Sequence, residues 1–202
     1  MRGSSKLVRA RHKNDSDKRI ALVAVMIVTV ALAALVILSP QKRSSDSFLP
    51  QVPVMGTQVP TVEAAGSIVG YKILVPTSVP SGLTLQSIRV VSQIHLVYLI
   101  YGASVIPSRT LVFSDLISNG FWILIESPQD PSVTPSQVVA SVVADSNGQA
   151  RATLINNNPG YIVDSGTLSN HIVWWVNGVR CELVTPTAAM PSQLEQVAGS
   201  TI

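Results

Sequence analysis

Residues Ile20 to Leu38 are 19 consecutive positions without a charge, built from Leu, Ile, Val and Ala with one Met and one Thr. As a helix rising about 1.5 Å per residue, such a run spans roughly 29 Å, the thickness of a bilayer's hydrocarbon core. Its Leu, Ile and Val side chains supply an insertion free energy of order −4 to −7 kcal/mol. A helix buried in a soluble domain keeps a polar stripe, and here Thr29 is the one polar residue. A cleaved secretion signal has a shorter apolar stretch and a small-residue cleavage site after it. Here Ala31 and Ala33, the run's Ala-x-Ala, lie inside it, and Ser-Pro-Gln-Lys-Arg follows Leu38. The expectation is a retained, single-pass transmembrane helix over 20–38, a signal anchor whose partner is the lipid bilayer.

Orientation follows from basic residues flanking a span. Arg2, Lys6, Arg9, Arg11, Lys13, Lys18 and Arg19 precede it, against Asp15 and Asp17, whereas only Lys42 and Arg43 follow within 20 residues. This predicts a cytoplasmic N-terminus and a C-terminal domain outside the cell membrane. The basic tail has no aromatic residue, and its place beside a span explains it as a topology determinant that also meets anionic lipid headgroups, at about 1 kcal/mol per basic residue. No nucleic-acid partner is expected. The formal charge of +3 resides in that tail: from Ser67 onward five basic residues face seven acidic ones, so the outer part has no basic field to steer polyanions.

The organisation expected is a basic tail over 1–19, the span over 20–38, a Pro/Ser-rich stalk over 39–66 and a β-rich extracytoplasmic domain over 67–202. Pro40, Pro50, Pro53 and Pro60 punctuate the stalk, and proline-containing segments of this kind are extended and semi-rigid. Tyr71 to Val75, Leu83 to Ser92 and His95 to Tyr101 are rich in β-branched and aromatic residues bounded by Pro or Gly, a strand signature. Asn119-Gly120 and Asn177-Gly178 have the chemistry of type I′ hairpin turns, and they join Thr110–Ile117 to Phe121–Glu126 and Ile172–Val176 to Val179–Val184. Asn147-Gly148 would join Val138–Ala144 to Ala152–Ile155 in a third hairpin. Pro191, in a first-turn position, with Leu194, Val197 and Ala198 at helical spacing, predicts a short C-terminal helix. The fold class expected is α+β: after the transmembrane helix, a mostly antiparallel sheet with that helix packed on it.

Two ends of this outer domain resemble a known family. Tyr71-Lys-Ile-Leu-Val75-Pro76-Thr-Ser-Val79-Pro80-Ser-Gly82-Leu83-Thr-Leu85 is similar to the opening "strand, Pro-x-x-Leu-Pro-x-Gly-Tyr-x-Leu, strand" of the domain of unknown function 4367. Trp174-Trp-Val-Asn-Gly178-Val-Arg-Cys181-Glu-Leu183 resembles its Trp-x-x-x-Gly-x-x-Tyr-x-Leu hairpin, and Leu194-Glu-Gln-Val197-Ala198-Gly-Ser200-Thr-Ile202 its terminal helix. The likeness runs from about Gly70 to Ile202 and is weak in the middle, around Asn158-Pro-Gly160-Tyr161. Cys181 stands where the family has Tyr and Val79 where it has Leu, so any role of a Tyr hydroxyl would be absent. The resemblance implies a domain behind a single span that senses or binds at the envelope, with no catalytic residues to carry over. The 19 residues before the span are too few for a folded regulatory domain of their own.

Chemistry-bearing patterns are sparse. In the register of the Asn177-Gly178 hairpin, Cys181 opposes Trp174 and not His171, so no Cys–His pair is implied, and Cys181 alternates with Val179 and Leu183 as a buried thiol. As the single cysteine it forms no internal disulfide. His12 and His95 lack a second ligand at metal spacing, so neither metal nor cofactor is expected. Trp174 and Trp175 are adjacent on a strand and point to opposite faces: one belongs to the core, and the other lies under the helix, under the stalk or open to a ligand. With Trp122 they are the candidate ligand or partner surface. The expected function is a membrane-anchored extracytoplasmic binding or sensing domain without catalysis, its partner another envelope protein or an envelope polymer. Two alternatives stay open: a structural subunit of an envelope assembly, and an envelope hydrolase.

Overall fold

The computed structural model describes residues 56–106, 112–164 and 169–202. The expected span, Ile20–Leu38, lies outside them. Among the described residues no helix is long and apolar enough to cross a membrane. The described chain runs β1 (Thr57–Val59), α1 (Val62–Val69), β2 (Thr84–Val91), β3 (Leu96–Gly102), α2 (Phe113–Ser118) and β4 (Trp122–Pro128). It continues through α3 (Pro135–Asp145), β5 (Ala150–Ile155), β6 (Asn158–Asp164), β7 (Ser169–Val176), β8 (Val179–Pro186) and α4 (Pro191–Gly199). The eight strands form one antiparallel sheet in the order β1-β2-β3-β4-β8-β7-β6-β5. It consists of two meanders joined where β4 pairs with β8, and the expected α+β arrangement of sheet and packed helices is present.

Strand alternation gives the sheet two faces, and both are covered. On one, Leu99, Leu124, Leu183, Ile172, Trp174 and Ile162 form the main core. Ala65 and Val69 of α1, Ile73 and Leu74 of the following segment, and Leu194, Val197 and Ala198 of α4 close over it. The opposite face is split. Ile100, Ile123 and Val184 pack under Leu116 and Ile117 of α2, while Val173 and Trp175 pack under Val139 of α3.

The β7–β8 hairpin is as expected. Asn177 and Gly178 have φ of 52° and 76°, the type I′ geometry, and Trp174 opposes Cys181. The terminal helix is also as expected, with Pro191 in its first turn and Leu194, Val197 and Ala198 buried. The other two Asn-Gly pairs do not close hairpins. Residues 113–118 are helix α2, which ends at Asn119 with Gly120 left-handed at φ 84°. Val138–Ala144 lies in helix α3, followed by Asn147 and Gly148 at φ 52° and 83°. The reason is that the left-handed residue of a helix C-terminus and the central residues of a type I′ turn demand the same φ > 0 backbone. Asn-Gly marks either. A hairpin without such a pair also formed, β5–β6, turning on Asn156 and Asn157 at φ 49° and 65°.

Two boundaries also shift. Thr57–Val59 pairs with β2, Val59 against Ile88, and Thr61 caps α1 through Oγ1, which accepts from Ala64 N at 3.1 Å. Residues 57–66, expected in the stalk, therefore belong to the domain. Tyr71–Val75, expected as a strand, joins no ladder of the sheet; it is an extended strap laid over the main core. One isolated bridge, Pro76 to Thr201, and hydrogen bonds from Thr77 N to Ser200 O and Val75 N to Ile202 O tie its end to the C-terminus.

Candidate functional site

All three candidate tryptophans are packed. Trp174, Trp175 and Trp122 are 1, 5 and 7% exposed. As their adjacency requires, Trp174 and Trp175 take opposite faces: the first enters the main core, and the second lies under α3 beside Tyr161, ring centroids 6.2 Å apart. Trp122 joins the main core. Of the places left open for the second indole, cover by a helix is the one observed, because segment 138–143, expected within a strand, is instead part of α3 and packs over Trp175. Cys181 is buried, and burial, aided by the Glu126 carboxylate, pushes its thiol well above the ordinary range.

The polar groups converge on the split face, on β7 and β8 between the clusters under α2 and α3. Ser169 and His171 are two apart on β7, so they share that face. Ser169 Oγ is 2.7 Å from His171 Nε2, and His171 Nδ1 is 3.1 Å from Glu182 Oε1. Arg180 Nη2 donates to the other carboxylate oxygen, Oε2, at 2.8 Å, and Arg180 also hydrogen-bonds Tyr161. The register explains the line: Glu182 opposes Val173, and Arg180 opposes Trp175, one and two rungs along from His171. A carboxylate only accepts, so Nδ1 of a neutral His171 carries the proton, and Nε2 then accepts from the Ser169 hydroxyl. Burial raises the Glu182 carboxyl, but the Arg180 guanidinium and His171 outweigh it and hold the group well below the ordinary carboxylate range. Glu182 therefore stays ionised. The row remains reachable, with the His171 and Glu182 side chains 28% and 21% exposed.

The hairpin register separates His171 from Cys181, and the structure places the two on opposite faces. What the sequence reading missed was Glu182 and Ser169. The signal was available, because a register pairing Trp174 with Cys181 already places Glu182 one rung from His171.

A second polar group sits in the main core. Glu126 is fully buried on β4, opposite Cys181. Both its carboxyl oxygens lie 3.1 Å from the Leu74 backbone N–H, and the Tyr71 hydroxyl donates to main-chain carbonyls at His95 and Glu126. The side chain thus takes the place of a strand partner for the strap. Burial raises its carboxyl to about 8 against the opposing Leu74 hydrogen bond. The neighbouring Tyr101 hydroxyl is buried without a hydrogen-bond partner among the described residues.

Two shallow clefts lie elsewhere. One of about 240 Å³ is lined by Ser78, Ser81, Gln193 and Gln196, and one of about 610 Å³ by Glu63, Ser67, Tyr71 and Lys72. Among the described residues no group of His, Cys, Asp and Glu is placed to hold a metal ion. No family model, curated protein or solved structure matches the chain.

Proposed function

We propose that the chain is anchored in the cell membrane by Ile20–Leu38, with its N-terminus in the cytoplasm, and displays the β-rich domain outside as a binding domain for an envelope protein or polymer. The observation that carries this reading is the asymmetry around the run: 19 uncharged residues with seven Lys or Arg before them and two just after. The domain's architecture supports it, since helices on both faces of the sheet cover its apolar side chains and leave a largely polar exterior for contact. With the tryptophans packed, contact with a partner falls to the split face and its Ser169–His171–Glu182–Arg180 row.

The buried single cysteine makes topology easy to read. In intact cells, a membrane-impermeant maleimide should label Val105→Cys, at a site 83% exposed, leave Ser4→Cys unlabelled until lysis, and leave the native chain, whose Cys181 is buried, unlabelled before and after lysis. Labelling of Ser4→Cys in intact cells with protection of Val105→Cys would overturn the orientation. Crosslinking from Val105→Cys should then capture an envelope component, and recovery of uncrosslinked monomer alone would overturn the binding role.

A further inference from the structure

We propose that Ser169, His171 and Glu182 form a nucleophile, its base and the group that orients the base, and that together they accept an acyl group from a small activated ester. This departs from the expectation of no catalysis and does not depend on the membrane anchor.

Activation of a serine requires a base within hydrogen-bond reach and a third group that fixes the base's tautomer. Such a set is recognised by geometry and roles, not by fold or sequence order. Here the separations are 2.7 and 3.1 Å, and each heteroatom faces the one it must exchange with. Arg180 occupies only Oε2 of Glu182, leaving Oε1 for His171. An ion pair that merely filled the space between α2 and α3 would need Arg180 and Glu182 alone. It would not require the imidazole on the free oxygen or a hydroxyl on the imidazole's far nitrogen. The ionised Glu182 supplies the fixed negative charge that an imidazolium forming at His171 requires.

In the step that follows, Ser169 Oγ bonds to the acyl carbon while its proton passes to His171 Nε2. The ester's acyl–oxygen bond then breaks, and Nε2 returns the proton to the departing alkoxide. Water, deprotonated by the same nitrogen, attacks the acyl-serine, releases the carboxylic acid and restores the hydroxyl. The row is partly exposed, without a deep enclosing cleft among those described above, which favours small acyl groups on good leaving groups.

The test uses the full chain in detergent and an alkyl fluorophosphonate, which forms a Ser Oγ–P bond as P–F breaks and fluoride leaves. Intact mass and peptide mapping should show one adduct, on Ser169, and p-nitrophenyl acetate should slow its formation. His171→Asn should slow labelling about 100-fold or more and Glu182→Gln about 10-fold, with thermal melts confirming that each folds. Absence of an adduct on Ser169 in the native chain overturns the proposal, as does equal labelling of folded His171→Asn. Mapping of the native chain needs no substitution, so a variant that fails to fold does not shield the proposal.

Discussion

Replacing Glu126 by Gln removes the one fully buried acid of the main core among the described residues while keeping its shape. In the folded chain its carboxyl is raised from the ordinary 4.5 to about 8, chiefly by burial. A folded value above the unfolded one means that the native state holds a proton the unfolded chain has released. The associated stability is fully present below about pH 4.5 and is lost as pH rises through about 8. At 1.36 kcal/mol per pH unit, the loss between those limits is on the order of 4 to 5 kcal/mol, much of the net stability of an ordinary domain. Glutamine carries no charge at any of these pH values, and its amide oxygen still accepts from Leu74. The variant should therefore match the native chain within about 1 kcal/mol at pH 5 and exceed it by several kcal/mol at pH 9. All three tryptophans are in the described domain, so urea unfolding in detergent followed by tryptophan fluorescence reads it directly. Parallel stability–pH curves for the two chains would refute the reasoning, because they would mean that Glu126 binds no extra proton on folding.

Trp175→Ala should cost about 3 to 5 kcal/mol, the range for deleting a large buried aromatic, and should expose α3 to protease before the rest of the sheet; unaltered urea midpoint and cleavage pattern would contradict its packing. Two glycines should respond differently to alanine. At Gly178 a Cβ meets nothing within 4 Å, so Gly178→Ala should cost about 1 kcal/mol for the left-handed backbone alone. At Gly160 it would stand 2.6 Å from the Val173 carbonyl oxygen, so Gly160→Ala should destabilise by clearly more, and equal shifts in melting temperature would count against the β6–β7 register. Glu195→Ala should change stability by less than about 1 kcal/mol, since its pair with Arg151 at 3.1 Å is exposed; a calorimetric change of 2 kcal/mol or more would show a larger role.

Several elements of this domain were legible before any coordinates. Asn177-Gly178 specified both a turn and a register, because φ > 0 at two successive residues leaves few alternatives and side-chain alternation does the rest. Pro191 with its Leu194, Val197 and Ala198 stripe specified the closing helix in the same local way. The misplaced third hairpin has a physical cause of its own beside the double meaning of Asn-Gly. Val138, Val139, Val142 and Val143 carry β-branched propensity, yet they lie in a helix begun by Thr134 and Pro135. Propensity differences of a few tenths of a kcal/mol per residue yield to covering Trp175 and Val173. The Thr-Pro pair was the overlooked signal, of the same kind as the one recognised at Pro191.

Turn geometry, strand parity and the apolar stripe of α4 were thus determined by the sequence itself, since each depends on residues a few positions apart. Tertiary structure decided which face each tryptophan takes cover on, that Glu126 serves as a backbone acceptor for Leu74 52 residues away, and that Ser169, His171, Glu182 and Arg180 meet in one row. Burial and desolvation are properties of assembled surfaces. The free energy that settles a helix over Trp175 or raises a core carboxyl exists only once distant segments have excluded water from the same place.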